Sequence, residues 1–354
     1  MTVSTLAALP GDILYLVCQA LLTPPGTALH NLAALSSTCK QVRAIALPLL
    51  LRHVSISDAS TAEESRVQNQ LGRMVETPAV RHFTQSFNFA PRTAKTSVVV
   101  EYCPTLIQLL KGMTQLRELK FDTLIDPDDR EDVARLCNLF LTSGLTPRYQ
   151  FKSITNLCAD ECCVFLLAVC PEVRTLRLDI IHRPSTADLS FRTNWPIASR
   201  VQYLQLRHES YQWETIATHT PEFCQTITNS MPNVTTLVMN RIRDAQLVLP
   251  KFNGFAKLET LVVPDLSELG LGFCPPRCGN ALRGARGTEL RRKLEVDYQM
   301  ASKKIKALAL DVFPRLRKLW IGWEDMCDLS KLGVRDQLDG VEFETSHFEP
   351  IWEM

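Results

Sequence analysis

The sequence predicts an α/β fold, in which a short N-terminal module of three helices precedes a solenoid of parallel strands joined by crossover helices. Three observations carry this. Residues 6–54 are largely apolar and are broken only by short Pro, Gly and Ser/Thr clusters. From about residue 65 onward, an apolar triplet spaced i, i+3, i+5 recurs six times. Between the triplets lie amphipathic stretches of helical period. With 354 residues, 45% hydrophobic and 22% charged, the chain can bury a real core in one large or two ordinary domains.

The first helix opens at Leu9-Pro10-Gly11-Asp12, and Ile13, Leu14, Leu16, Val17, Leu21 and Leu22 make it apolar almost all round. Such a helix must be covered on more than one side. Thr23-Pro24-Pro25-Gly26 breaks it, and a second helix carries Leu29, Leu32 and Leu35. Ser36, Ser37 and Thr38 punctuate before a third helix from Cys39 to Ala46, which Pro48 is expected to end, opening a last turn through Leu49, Leu50 and Leu51.

The six triplets are Leu116-x-x-Leu119-x-Phe121, Val173-x-x-Leu176-x-Leu178, Val201-x-x-Leu204-x-Leu206, Val234-x-x-Leu237-x-Met239, Leu258-x-x-Leu261-x-Val263 and Leu316-x-x-Leu319-x-Ile321. Their first positions are 57, 28, 33, 24 and 58 residues apart, so each long interval has room for one degenerate repeat, with Phe151-x-x-Ile154 the candidate in the first. Helices are expected over Asp129 to Leu141, Ala159 to Val169 and Pro221 to Met231. A strand, a crossover helix and another parallel strand make one solenoid unit. A Gly- and Pro-rich loop from Leu269 to Gly287 and a basic helix N-capped by Thr288 form an insertion over 269–311. From Arg277 to Lys306 nine Lys or Arg face three Asp or Glu, a local charge of +6 (9 minus 3).

Charge and cysteine usage exclude several classes. The 39 Lys and Arg balance 38 Asp and Glu, and a net charge of +1 supplies no global field for nucleic acid or an anionic membrane. The apolar run from Ile13 follows Asp12, and no Lys or Arg precedes Lys40, so it does not read as a secretory signal. Twelve scattered cysteines fit reduced thiols of a cytoplasmic or nuclear protein, and disulfides are not expected.

Catalytic and metal patterns are sparse. A nucleophile elbow needs Gly-x-Ser-x-Gly, which does not occur, and Gly279-x-x-x-x-Gly284 is followed by Ala285 and Arg286 rather than by the Lys of a phosphate loop. Cys274 and Cys278 form one pair with no second pair at zinc-finger spacing. Cys158, Cys162, Cys163 and Cys170 read as core thiols. The carboxylates Asp126, Asp128, Asp129, Glu131 and Asp132 suit a helix N-terminus. No catalytic residue, metal site or cofactor is assigned.

The order Leu9-Pro10-x-Asp12-Ile13-Leu14-x-Leu16-Val17, then Leu32-x-x-Leu35-Ser36-x-x-Cys39-Lys40-x-Val42-Arg43-x-Ile45-Ala46, resembles the F-box motif over about forty-five residues. The tail Pro48-Leu49-Leu50-Leu51-Arg52-His53-Val54 is similar to the close of many fungal F-boxes. Val42 stands where an aromatic is common, and the Thr23–Gly26 linker is longer than usual. The triplet region resembles the leucine-rich repeats often fused to F-boxes, with the usual Asn or Cys missing or irregular. The resemblance implies a module over 1–57 that docks onto the Skp-type adaptor of a cullin ubiquitin ligase, and a recognition domain over 65–345 that holds a protein substrate. Docking would fall to Leu9, Pro10, Ile13, Leu14, Leu16, Val17, Leu32, Leu35, Cys39 and Val42.

Within the repeat strands the apolar residues should face the core, so alternate positions line the other face. Lys120, Asp122, Arg177, Asp179, Gln205, Arg207, Asn240 and Trp320 are the candidate substrate contacts. The alternative is a structural scaffold independent of any ligase, whose first helices only cap the solenoid. Exposure of Ile13, Leu16 and Val17 distinguishes the two.

Overall fold

A computed structural model of the chain describes residues 9–22, 28–57, 64–91, 95–123, 129–144, 150–180, 196–208, 221–275, 284–322, 325–328 and 344–345. The chain divides into two compact units, Met1–Glu172 and Val173–Met354. The first unit opens with α1 (Gly11–Ala20), α2 (Ala28–Ser36) and α3 (Lys40–Leu50), and after two further residues the chain enters β1 (His53–Ser57). With so short a connection, the helical module runs straight into the sheet.

The helical module has its own apolar interior. Cys18, Leu32, Ala46 and Leu49 pack together, with Leu22, Leu35, Ile45 and Leu50 half-buried around them. Ser36 Oγ, Ser37 Oγ and Thr38 Oγ1 donate to the carbonyls of Ala33, Ala34 and Leu35 at 2.7, 2.7 and 2.8 Å. The Ala34 and Leu35 carbonyls also accept from the backbone N–H groups of Ser37 and Thr38 at 3.2 and 3.1 Å, so the hydroxyls reinforce the turn that ends α2. Pro48 does not end α3, contrary to expectation: the helix runs through it to Leu50, and Leu51 N–H still donates to Leu47 O at 3.0 Å. A proline this near the C-terminus costs one ladder bond, and burial of Ala46 and Leu49 on either side of it holds the turn.

Beyond β1 come α4 (Glu64–Glu76), α5 (Pro78–Phe83), β2 (Ser86–Ala90), α6 (Thr96–Gly112), β3 (Glu118–Phe121), α7 (Arg130–Gly144), β4 (Asn156–Asp160) and α8 (Leu166–Val169). The strands pair in parallel in chain order, with Val54, Phe87, Leu119 and Leu157 in one register row. Phe89, Phe121, Phe140 and Phe165 form a chain of ring contacts with centroids 5.5, 5.9 and 5.7 Å apart. Phe121 and Phe140 meet edge to face, the arrangement favoured by the ring quadrupoles.

The second unit holds β5 (Thr175–Ile180), β6 (Tyr203–His208), α9 (Pro221–Ser230), β7 (Thr236–Met239), α10 (Ala245–Val248), β8 (Thr260–Val263), α11 (Gly284–Val312) and β9 (Lys318–Ile321). These strands are also parallel and in chain order, and Leu176, Leu204, Leu237, Leu261 and Leu319 share one register row, each fully buried. β10 (Asp325–Asp328) and β11 (Glu344–Thr345) add two antiparallel strands after β9. Both units are therefore solenoid-like α/β structures, and all six triplets supply strands. Among the described residues, no helix is long and apolar enough to cross a membrane.

Several expectations are corrected. The degenerate repeat of the first long interval is Ile154-x-x-Leu157-x-Ala159, three residues later than Phe151-x-x-Ile154, because Phe151 and Ile154 lie in the turn before β4. The second interval holds no further strand among the described residues: β8 pairs directly with β9, and α11 occupies the space. Ala159 and Asp160 end a strand rather than open a helix. Thr288 lies inside α11, which begins at Gly284, so it is not the N-cap. The repeats also start before residue 65, at β1, and β2 escapes the triplet pattern because buried Thr84 occupies its first apolar place, with its Oγ1 donating to Val80 O at 2.6 Å.

Candidate functional site

On an α-helix, residues 13, 16 and 17 share one side and 14 and 18 another. In α1 the second side carries Leu14 and Cys18, both fully buried in the module. The first side is open: Ile13 is 41% exposed, Leu16 58%, and Val17 half-buried. Tyr15 is also exposed, at 42%, but lies on another side of α1, beyond Asp12 and Gln19, and its Oη accepts from Gln19 Nε2 at 3.1 Å. Tyr15 was missing from the residues singled out in the sequence, because the motif skips its position.

The ten candidate docking residues therefore separate by burial. Leu14, Leu32 and Val42 are fully buried and build the interior of the module, so they present no surface to a partner. Leu9, Leu35 and Cys39 are half-buried, while Pro10, Ile13 and Leu16 are exposed. The buried three are needed for the fold that displays the others. α3 also packs on α5, which braces the module against the first repeats.

No protein-family model matches this sequence, and no curated protein matches it either. The surfaces must be read from their own chemistry.

The sheet face away from the helices changes character along the strand series, and in the first unit its row ends on buried Cys158 of β4. In the first, Ser55, Asn88 and Lys120 are cross-strand neighbours, Asn88 Nδ2 donates to Ser55 Oγ at 3.2 Å, and Lys120 Nζ lies 3.4 Å from Glu118 Oε1. Lys120 and Asp122 are half-buried. In the second unit the corresponding row is Arg177, Gln205, Val238, Val262 and Trp320. Val238, Val262 and Trp320 form a separate apolar cluster with Tyr203 against it.

Of the eight candidate substrate contacts, Asp179, Gln205 and Trp320 are buried, at 2%, 6% and 8% exposure. Their burial removes them from any free contact surface of this structure, while Arg207 and Asn240 remain half-buried at the strand ends. Asp179 is taken up by Arg177, whose Nε and Nη2 donate to its two carboxylate oxygens at 3.2 and 3.3 Å. This bidentate pairing compensates two charges that burial would otherwise penalise. Burial pushes the Tyr203 hydroxyl up to about 12, with Arg177 opposing the shift, so it stays protonated at neutral pH.

Among the described residues, no group of three or more His, Cys, Asp or Glu is placed to hold a metal ion. Cys158, Cys163 and Cys170 are buried and Cys162 half-buried. Burial pushes the Cys163 and Cys170 thiols well up, and Cys224 up to about 12. Such thiols carry little thiolate and are poor nucleophiles. Cys274 is exposed, and Cys278 lies outside the described residues, as do Asp126 and Asp128 of the acidic run.

Proposed function

We propose that this chain is a non-catalytic substrate-recognition adaptor of a Skp-cullin-F-box type ubiquitin ligase, docking through its N-terminal helices and holding a protein substrate with its repeat strands. One observation carries the reading: Ile13 and Leu16, two large aliphatic residues of the F-box-like motif, stand 41% and 58% exposed on one side of α1. A helix that is apolar all round and covered on one side presents a surface suited to a partner. Substrate contact then falls to the accessible part of the sheet face, with Lys120, Asp122, Arg207 and Asn240 foremost.

The scaffold reading has its own support in the packing of α3 on α5, which is how a capping module would bind the first repeat. The two readings use different helices and can be separated. Replacing Ile13 and Leu16 together by Glu should abolish capture of a purified Skp-type adaptor and leave the melting temperature unchanged. Each buried aliphatic side chain contributes about 1.5 to 3 kcal/mol, so losing both weakens association by roughly a hundredfold or more. Undiminished capture by the double variant refutes docking through α1. A loss of melting cooperativity supports the capping role instead.

A further inference from the structure

We propose that the cleft at the amino-terminal edge of β5–β8 is a binding site for a phosphate monoester. The cleft has a volume of about 470 Å³ and draws three cations, Arg174, Arg200 and Lys257, into one lining that contains no carboxylate. Like charges gathered on one rim raise the local potential and favour an anion over water.

The frame behind these side chains is rigid. Gln202 N–H donates to Arg174 O at 2.9 Å and Thr235 N–H to Gln202 O at 2.8 Å, so Arg174, Gln202 and Thr235 follow one another along the sheet edge at the strand spacing. Asn233 ties two further segments into the cleft: its Nδ2 donates to Ser199 O at 2.6 Å, and its Oδ1 accepts from Lys257 Nζ at 2.6 Å. Because one end of the amide meets a carbonyl and the other an ammonium, its orientation follows from its partners. Lys257 is thereby anchored through one proton and keeps two more for a ligand.

The chemistry of the lining selects the ligand class. Guanidinium and ammonium groups with the nearby Ser199 hydroxyl match the several acceptor oxygens and double charge of a phosphate monoester, while Thr235 Oγ1 donates to Gln202 O at 3.2 Å and belongs to the frame. The volume falls within the usual range for small-molecule sites and leaves room for the group that carries the phosphate. No aromatic or aliphatic side chain lines the cleft, so that carrier should be hydrophilic. The site does not depend on the docking role of α1. A phosphoserine side chain and a free sugar phosphate share this chemistry.

The test is calorimetric titration of the full chain at low salt with inorganic phosphate, glycerol 2-phosphate, and a short hydrophilic peptide with and without phosphoserine. Binding of glycerol 2-phosphate or the phosphopeptide is expected, and it should weaken as salt shortens the Debye length, because the cations are exposed. Replacing Arg174 and Lys257 together by Gln should weaken binding by at least about tenfold. Lys318→Gln, an exposed cation of the same unit outside the cleft, should leave it unchanged. A phosphopeptide that binds about tenfold tighter than glycerol 2-phosphate identifies a phosphorylated chain as the source. Equal affinities identify a free ester. No binding of either ester, or equal loss in the Lys318 variant and the cleft variant, overturns the proposal.

Discussion

The strands share one pattern, yet the sheet face away from the helices is polar over β1–β3 and apolar over β7–β9. Over β1–β3, Ser55, Asn88 and Lys120 are half-buried or exposed polar residues. Over β7–β9, the equivalent row is Val238, Val262 and Trp320, all buried. The ion pairs differ in the same sense. Glu118 and Lys120 keep side-chain exposures of 23% and 29%, whereas Arg177 and Asp179 keep 14% and 3%. Alternation along a strand thus guarantees one buried face, and the other face is free to be wet or sealed according to which residues occupy it.

The strongest test of this contrast is a pair of truncations in the same register row of each unit. Trp320→Ala should destabilise the chain by about 3 to 5 kcal/mol, as expected when a large buried ring is removed. Lys120→Ala should stay within about 0.5 kcal/mol. Denaturant unfolding measures both, and similar losses would erase the distinction between the faces.

The ion pairs sharpen it at intermediate magnitude. Asp179→Ala leaves the mostly buried Arg177 guanidinium without its bidentate partner and should cost about 3 kcal/mol. Glu118→Ala removes a partly solvated partner and should cost no more than about 1 kcal/mol. A midpoint shift in Glu118→Ala as large as that in Asp179→Ala would show that the first face is less open than its exposures indicate.

The smallest effect is a pH dependence confined to the first unit. Partial burial pushes the His53 imidazole below its ordinary value, Arg52 and Lys120 add to the shift, and Glu118 opposes it. A histidine whose folded value is lowered takes up its proton more readily when unfolded. Its contribution is therefore complete above about 6.5 and is lost as the pH falls below that. His53→Gln should flatten the decline in melting temperature between neutral and mildly acidic pH, and an unchanged slope would remove His53 as its source.

The parts of the fold that were legible in the sequence are those governed by period. Leu176, Leu204, Leu237, Leu261 and Leu319 could be placed in strands because each anchors a triplet, and the structure aligns all five in one register row. β2 was hidden by Thr84, a polar residue that meets the demand for burial by bonding Val80 O within its own chain segment. The Asn233 link from Ser199 to Lys257 was also invisible, since its partners are 34 and 24 residues away and no periodicity joins them.

By itself the sequence determined the strands that carry the six triplets, that these run parallel with helices between them, and that α1 carries more apolar surface than one contact can cover. Those are consequences of hydrophobic period and of local chain breaks, which act over a few residues. Only the tertiary structure decided where the units divide, which side of α1 stays open, that Trp320 and Gln205 are sealed rather than displayed, and that Arg174, Arg200 and Lys257 share one cleft. Burial of a residue's second face and the meeting of distant charges depend on what the rest of the chain lays against them, and no local pattern encodes that.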